Sequence, residues 1–421
     1  MNEQAQKKYD EKLKRLNDAL NLREPDRVPI DIEGGRFMVN YAGYQMKDII
    51  YDDTFGVYKE CVKKFLNDFD PDTVTSAVGN YYGEGLVHEM TKCNTMIVAG
   101  QNDPRVNDNS IHQYIEFENL HDDEFDLFWS DRTKFLLANF YPRISDICKP
   151  FQKLNIDSSH RGITMLAKEF SRPDVREAIQ KLWEINDAYD IVNKKASAAV
   201  KEMIELGYPS MGGGIAVAPF DKYSDAYRGT LKSLMDLCER EDEVTKYCDE
   251  FHEGQIKRLR AANKDGRLNG KYVQMQLHKG VDGFMSDEQY DRLYWKYLKD
   301  IIDAVHSTGM IPMLFCEGRY STRLKFLEQV PEGPILFRFE TIDMAEVKQR
   351  LGKKACIGGG FPSPLLEFGT KQQVIDETKK LLDSVMDGGG FIFRCTAGID
   401  TGTPENVAAM FETVKEYGRY R

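Results

Sequence analysis

The stretch "IPMLFCEGRY", residues 311–320, is apolar from Ile311 to Phe315 and then presents Cys316, Glu317, Gly318 and Arg319. A thiol beside a carboxylate offers two chemistries. Together they could ligate a cation such as Zn²⁺. The carboxylate alone could hold or move a proton. Comparable groups follow other apolar runs: Asp31, Glu33 and Arg36 in "RVPIDIEGGR"; Asp221 in "APFDKYSD"; His278, Lys279 and Asp282 in "QLHKGVDGF". Glu340 and Asp343 lie in "RFETID", and Arg394, Cys395 and Asp400 in "FRCTAGID". Gathered on one rim, acids, thiols and an imidazole are costly to desolvate. A metal would remove that cost, as would pairing with Arg36, Arg319 or Arg394. Each residue has a structural alternative. Free Cys is usually a small buried hydrophobe, a lone His after a strand is more often structural, and Asp221 could cap a loop or helix.

Eight runs have the apolar or β-branched character of strands: 27–32, 72–78, 211–220, 271–278, 310–316, 334–340, 355–361 and 390–395. The later ones alternate with helices that carry their own start signals. Ser286 with Gln289, and Thr370 with Gln373, are spaced as capping boxes. Thr403 precedes Pro404, and Gly309 and Gly418 stand at helix ends. Strand and helix in alternation imply parallel strands with crossover helices. The expected fold is therefore an α/β (β/α)8 TIM barrel, with chemistry at the carboxyl ends of its strands. Tyr9, Leu13, Leu16 and Leu20 recur at helical spacing, so residues 1–25 are expected to form a surface helix. Residues 26–421 are expected to form a single barrel domain, with a helix and loop insertion at about 80–205. Aromatics in that insertion, such as Tyr81, Tyr82 and Phe128, are read as core before pocket wall. "GGGFPS" (358–363) could form an anion-binding nest but lacks dinucleotide spacing.

Composition narrows the partners. Acidic residues outnumber basic ones by 68 to 57, giving a net charge of -11 across 421 residues. That balance argues against nucleic acid. The eight cysteines form no CxxC pair and suit reduced thiols in a cytoplasmic protein. The start, "MNEQAQKKYDEKLKRLNDAL", is too polar for a signal peptide. No apolar run approaches the roughly 20 residues that span a bilayer.

The segment "GGGFPSPLLEFGTKQQVIDETKKLLDSVMDGGGFIFRCTAGIDTGTPENV" resembles the uroporphyrinogen decarboxylase superfamily in the order of its pieces. The likeness extends back through "LHKGVDGFMSDEQYDRLYWKYLK" to "RVPID". It implies a (β/α)8 barrel and two branches of activity. The decarboxylase branch carries an arginine-rich "RQAGR" loop that grips substrate carboxylates. The corresponding loop reads "IEGGR", where Arg36 remains and Glu33 would repel an octa-acid. The other branch comprises cobamide-dependent methyltransferases, and "PFD…AYRGT" and "LHKGVDGFMSDEQ" look most like its O-demethylating subgroup. That branch implies a small methyl donor, cobalamin carried by a corrinoid partner protein, a possible homodimer and, in thiol-using members, zinc. The zinc pattern departs from theirs: Leu314 stands where a His is expected and Ala397 where a Cys is expected. Cys316 keeps its register, and Cys395, Glu317 and His278 are the candidate substitutes.

The expected function is methyl transfer from a small methoxylated or related donor to a corrinoid protein. Glu317, His278 and Glu340 are the candidate acid–base groups. Asp31, Glu33, Arg36 and Arg319 are candidates for orienting substrate. The alternatives are a cofactor-free decarboxylase or lyase acting on another acid, and a degenerate barrel that binds a corrinoid protein without turnover.

Overall fold

The computed structural model describes residues 1–77, 79–156, 162–264, 271–395 and 398–420. Its centre is a six-stranded parallel sheet. The strands run Gly213–Ile215, Tyr272–Leu277, Ile311–Arg319, Leu336–Thr341, Cys356–Gly359 and Phe391–Ile392, each paired with the next. Two extended segments close the ring. Ile30 bridges Phe393 in parallel, Asp72 N–H donates to the Ile30 carbonyl (2.8 Å), and Val74 N–H donates to the Pro209 carbonyl (3.0 Å). Eight staves therefore surround one interior, as expected of a (β/α)8 barrel, and each coincides with one of the eight runs expected to be strands.

The crossover helices begin where the sequence signals them. Ser286 accepts from Gln289 N–H and Thr370 from Gln373 N–H, both as complete capping boxes, and Thr403 accepts from Asn406 N–H. The first helix, Glu3–Leu20, does more than lie on the surface. Its Leu16, Ala19 and Leu20 pack against Met211, Tyr272, Ile311, Met313, Leu336, Cys356 and Ile392, plugging the amino-terminal floor of the barrel. The long insertion contains the 32-residue helix Pro173–Ile204 and a small antiparallel hairpin, Met96–Ile97 with Gln113–Tyr114. Phe128 is fully buried among Phe135, Tyr227 and Tyr247, and Tyr82 is core as well. No helix among the described residues is long and apolar enough to cross a membrane.

An ionic cluster holds the floor to the ring. Asp72 is fully buried at the foot of the second stave. Arg27 donates to both its oxygens (2.8 and 3.0 Å), Ile30 N–H donates to it (2.7 Å), and Arg15 of the first helix pairs with it. Lys12 lies 3.6 Å away and also donates to the Pro71 carbonyl. The Asp72 carboxyl is held below its ordinary range despite burial, by the charges of Arg27, Lys12 and Arg15.

Candidate active site at the barrel mouth

Side chains alternate across each strand, so every second residue faces the barrel interior. In the fourth to sixth staves one row of paired residues reads Leu277, Cys316 and Phe339, and all three are buried in the core shared with the helices. The row beside it reads Gln276, Phe315, Arg338 and Gly358 and faces inward. The interior cavity holds about 360 Å³ and is lined by Asp31, Glu33, Gln274, Gln276, Arg338 and Arg394, with Met313 below. The barrel interior is therefore polar above an apolar floor.

Two guanidinium groups dominate it. Arg394 donates to Asp31 (2.7 Å), whose other oxygen accepts from the Thr73 hydroxyl (2.7 Å), while Glu33 stands 3.8 Å from Arg394. Arg338 is only 4% exposed, and its one hydrogen bond among the described residues is to the neutral Gln274 side chain (3.1 Å). Its Nε has no partner among the described residues. Burial, together with the neighbouring Arg394 charge, pushes Arg338 down to about 10.

Above this layer, at the tip of the fourth stave, His278 Nδ1 lies 2.6 Å from Asp225 and Nε2 lies 3.7 Å from Glu317. The hydrogen bond to Asp225, with the charges of Asp225, Asp221 and Glu317, raises His278 to about 9. An imidazolium at neutral pH follows, with Nδ1–H donating to Asp225 and Nε2 facing the Glu317 carboxylate at 3.7 Å. Asp225 sits on a π-bulged turn, Ser224–Arg228, a distortion common at functional sites. Arg228 anchors that turn through Asp236, Glu118 and Asp122. Asp221, fully buried, accepts from the backbone N–H groups of His278 and Lys279 and from the Tyr294 hydroxyl. Burial lifts it to about 6. Asp221 thus caps the loop that carries His278, as its structural alternative holds.

The "CEGR" turn has a physical reason. Pairing with the sixth stave shifts register between Cys316 and Arg319, and Gly318 takes φ +80° in the bulge. Bulges re-aim side chains near sites. Gly318 N–H donates to Glu340 (2.7 Å), so Glu340 pins the bulge that delivers Glu317 to the rim.

Residues 146–417 match the family described as uroporphyrinogen decarboxylase (URO-D). The chain belongs to the uroporphyrinogen decarboxylase family. Curated relatives include decarboxylases of Hordeum vulgare, 33% identical over 138 residues (31% of this chain and 39% of that protein), and Synechocystis, 43% identical over 151 residues (34% and 40%). The match thus spans about two fifths of those relatives' length. A solved structure described as a methyltransferase from Methanosarcina mazei superposes with a TM-score of 0.57 at 15% identity, covering 96% of this chain and 98% of its own. That likeness is one of fold.

Within this URO-D barrel, the residues singled out in sequence fall into three groups. His278, Glu317 and Glu340 come together at the mouth, and Asp31 and Glu33 line the cavity beneath. Arg36 is tied to the carbonyls of Asp400 (3.3 Å) and Asn109 (3.4 Å), and Arg319 is exposed on the bulge. Cys316 and Cys395 are both fully buried away from the mouth. Cys395 Sγ packs 3.7 Å from Met410 Sδ on the last helix, and burial pushes its thiol up to about 12. The four candidate ligands Glu317, Cys316, His278 and Cys395 are not brought together. Among the described residues no three His, Cys, Asp or Glu side chains converge as a metal site, so the donor set does not fit zinc. Ala397 lies outside the described residues. Sequence reasoning passed over Arg338, Gln274, Gln276 and Asp225. For the first three a signal existed: polar residues at every second position of "YVQMQLH" and "LFRFE", the inward register of an otherwise apolar strand.

Proposed function

We propose that this chain is a methyltransferase that takes a methyl group from the oxygen of a small methoxylated donor for a corrinoid carried by a partner protein. The observation that carries the reading is the His278–Asp225 pair just past the end of the strand whose Gln274 and Gln276 line a small polar cavity. An ether oxygen leaves poorly as an anion, and a positioned acid that protonates it removes that difficulty. Nε2–H of His278, which makes no hydrogen bond among the described residues, gives its proton to the departing oxygen, leaving an alcohol or phenol. Asp225 holds the ring by Nδ1 and keeps it charged, and Glu317 supplies a second carboxylate beside Nε2. Bound corrinoid would supply the cobalt nucleophile that accepts the methyl group. Exposed apolar residues at the rim, Ile215, Leu231 and Phe368, suit the face of a large flat group. The cavity is at the small end of ligand pockets, about 300–1,000 Å³, which favours a one-ring donor over a four-ring porphyrinogen. The name of the Methanosarcina mazei fold neighbour agrees with this branch. Zinc has no part in this mechanism. A cytoplasmic setting and a homodimer belong to the same reading.

One observation favours the family's other chemistry. A buried arginine beside a cavity could hold the carboxylate of an acid that loses CO₂. The two readings separate in one assay of the purified chain with cob(I)alamin and a panel of methoxylated acids. Loss of cob(I)alamin absorbance, matched by donor demethylation, supports methyl transfer. Release of CO₂ with cob(I)alamin unchanged overturns it in favour of decarboxylation.

A further inference from the structure

A buried cation without an anion is costly unless something compensates it. Most charged groups of this chain obey that rule. Arg27, Arg228, Arg323 and Arg394 are all buried, and each reaches at least one carboxylate within 3 Å. Among the described residues Arg338 is the exception. It is 4% exposed, its recorded hydrogen bond goes to a neutral amide oxygen, and its Nε is unpartnered among the described residues. The nearby carboxylates Asp31 and Glu33 offset part of the Arg338 charge through space, but their contacts go elsewhere: Asp31 to Arg394 and Thr73, and Glu33 at 3.8 Å from Arg394. The guanidinium borders the 360 Å³ cavity, and the Phe315 ring lies 5.9 Å from it. The paired residue on the next strand is Gly358, so no side chain on that strand stands opposite Arg338 in the register.

We propose that Arg338 is the anion-binding residue of a carboxylate subsite inside the barrel, and that the natural ligand is a small monocarboxylate. A guanidinium fork matches a carboxylate with two parallel N–H donors, and the side-chain amides of Gln274 and Gln276 line the same wall. His278 lies two residues beyond Gln276, just past the end of the same strand, and Gln276 pairs through Phe315 with Arg338. Two residues of strand rise about 7 Å. A ligand about one ring long therefore holds its acid group at Arg338 while its other end reaches the mouth. Extending the subsite to a methoxylated acid as methyl donor rests on the reading above. The subsite itself stands on the cavity and its unpaired cation.

The test is binding, with no corrinoid and no methyl group present. Benzoate and acetate are compared with benzamide and acetamide by calorimetry on the full chain. A charge-assisted pair predicts that the acids bind about 10- to 100-fold tighter than their amides. R338M removes that preference by weakening acid binding far more than amide binding. R338K, which keeps the charge and loses the fork, retains part of it. Because R338M also removes a buried charge that no carboxylate contacts among the described residues, its ligand-free Tm rises, whereas a structural arginine would lower it. Equal binding of acids and amides to the native chain, no binding of either, or an acid preference that survives in both variants overturns the proposal. A native chain that prefers acids yet never methylates cob(I)alamin leaves the subsite standing and removes the methyl-transfer reading alone.

Discussion

The foot of the barrel and its interior both bury arginine, on opposite terms. At the foot, Asp72 is ringed by Arg27, Arg15 and Lys12 and also accepts a backbone N–H, so every charge there has a counter-charge. In the interior, Arg338 has a neutral amide and an open cavity. The foot joins the first helix to two staves and serves the fold. The interior keeps a cation ready for something that the fold does not supply. Burial alone does not tell these roles apart; the pairing does.

Breaking the foot has the largest expected cost. Asp72→Asn leaves cations buried without their anion, which should destabilise by about 3–5 kcal/mol. A lower urea midpoint at unchanged slope would record it. The sign with pH follows from the lowered Asp72 carboxyl: its contribution is present above the ordinary carboxylate range near 4 and is lost as pH falls below that.

At the mouth the cost should fall on activity. Removing a general acid typically loses about 10²–10⁴ in rate, so His278→Gln should lower kcat strongly. The pH dependence carries its own sign. His278 is raised from 6.5 to about 9, so its stabilising contribution is full below 6.5 and lost as pH rises through about 9. The Tm of the native chain relative to His278→Gln should therefore narrow across that window, measured by calorimetry at stepped pH.

Arg338→Met should move stability the other way, up by about 1–2 kcal/mol, as substitutions at functional sites often do. Opposite signs for Asp72→Asn and Arg338→Met would sharpen the contrast, and equal signs would break it. The smallest change is expected of Glu340→Gln. It weakens one hydrogen bond to Gly318, worth about 0.5–1.5 kcal/mol, and should lower Tm slightly while leaving the His278 titration in place.

Much of the fold was legible because its signals are local. Apolar runs, capping boxes and helix-ending glycines are written in consecutive residues. The site was legible in part. His278 and Glu317 follow strands and were found by position. Cys316 is adjacent to Glu317 in sequence yet faces the helices, because neighbours on a strand point to opposite sides. Glu340 was read as an acid or base, but the bulge at Gly318 gives it a backbone partner. Asp225 is brought to His278 by a π-bulged turn 53 residues away, a contact that no spacing announces. Arg338 was passed over, because its lack of a carboxylate contact is visible only when the ring closes.

The account rests most directly on the charge of one imidazole. Titrating His278 by NMR in the native chain and in Asp225→Asn tests it. A midpoint near 9 that falls toward 6.5 in the variant is the predicted result. A native midpoint near 6.5, unmoved by Asp225→Asn, would mean that no acid stands ready at the mouth and would contradict the account.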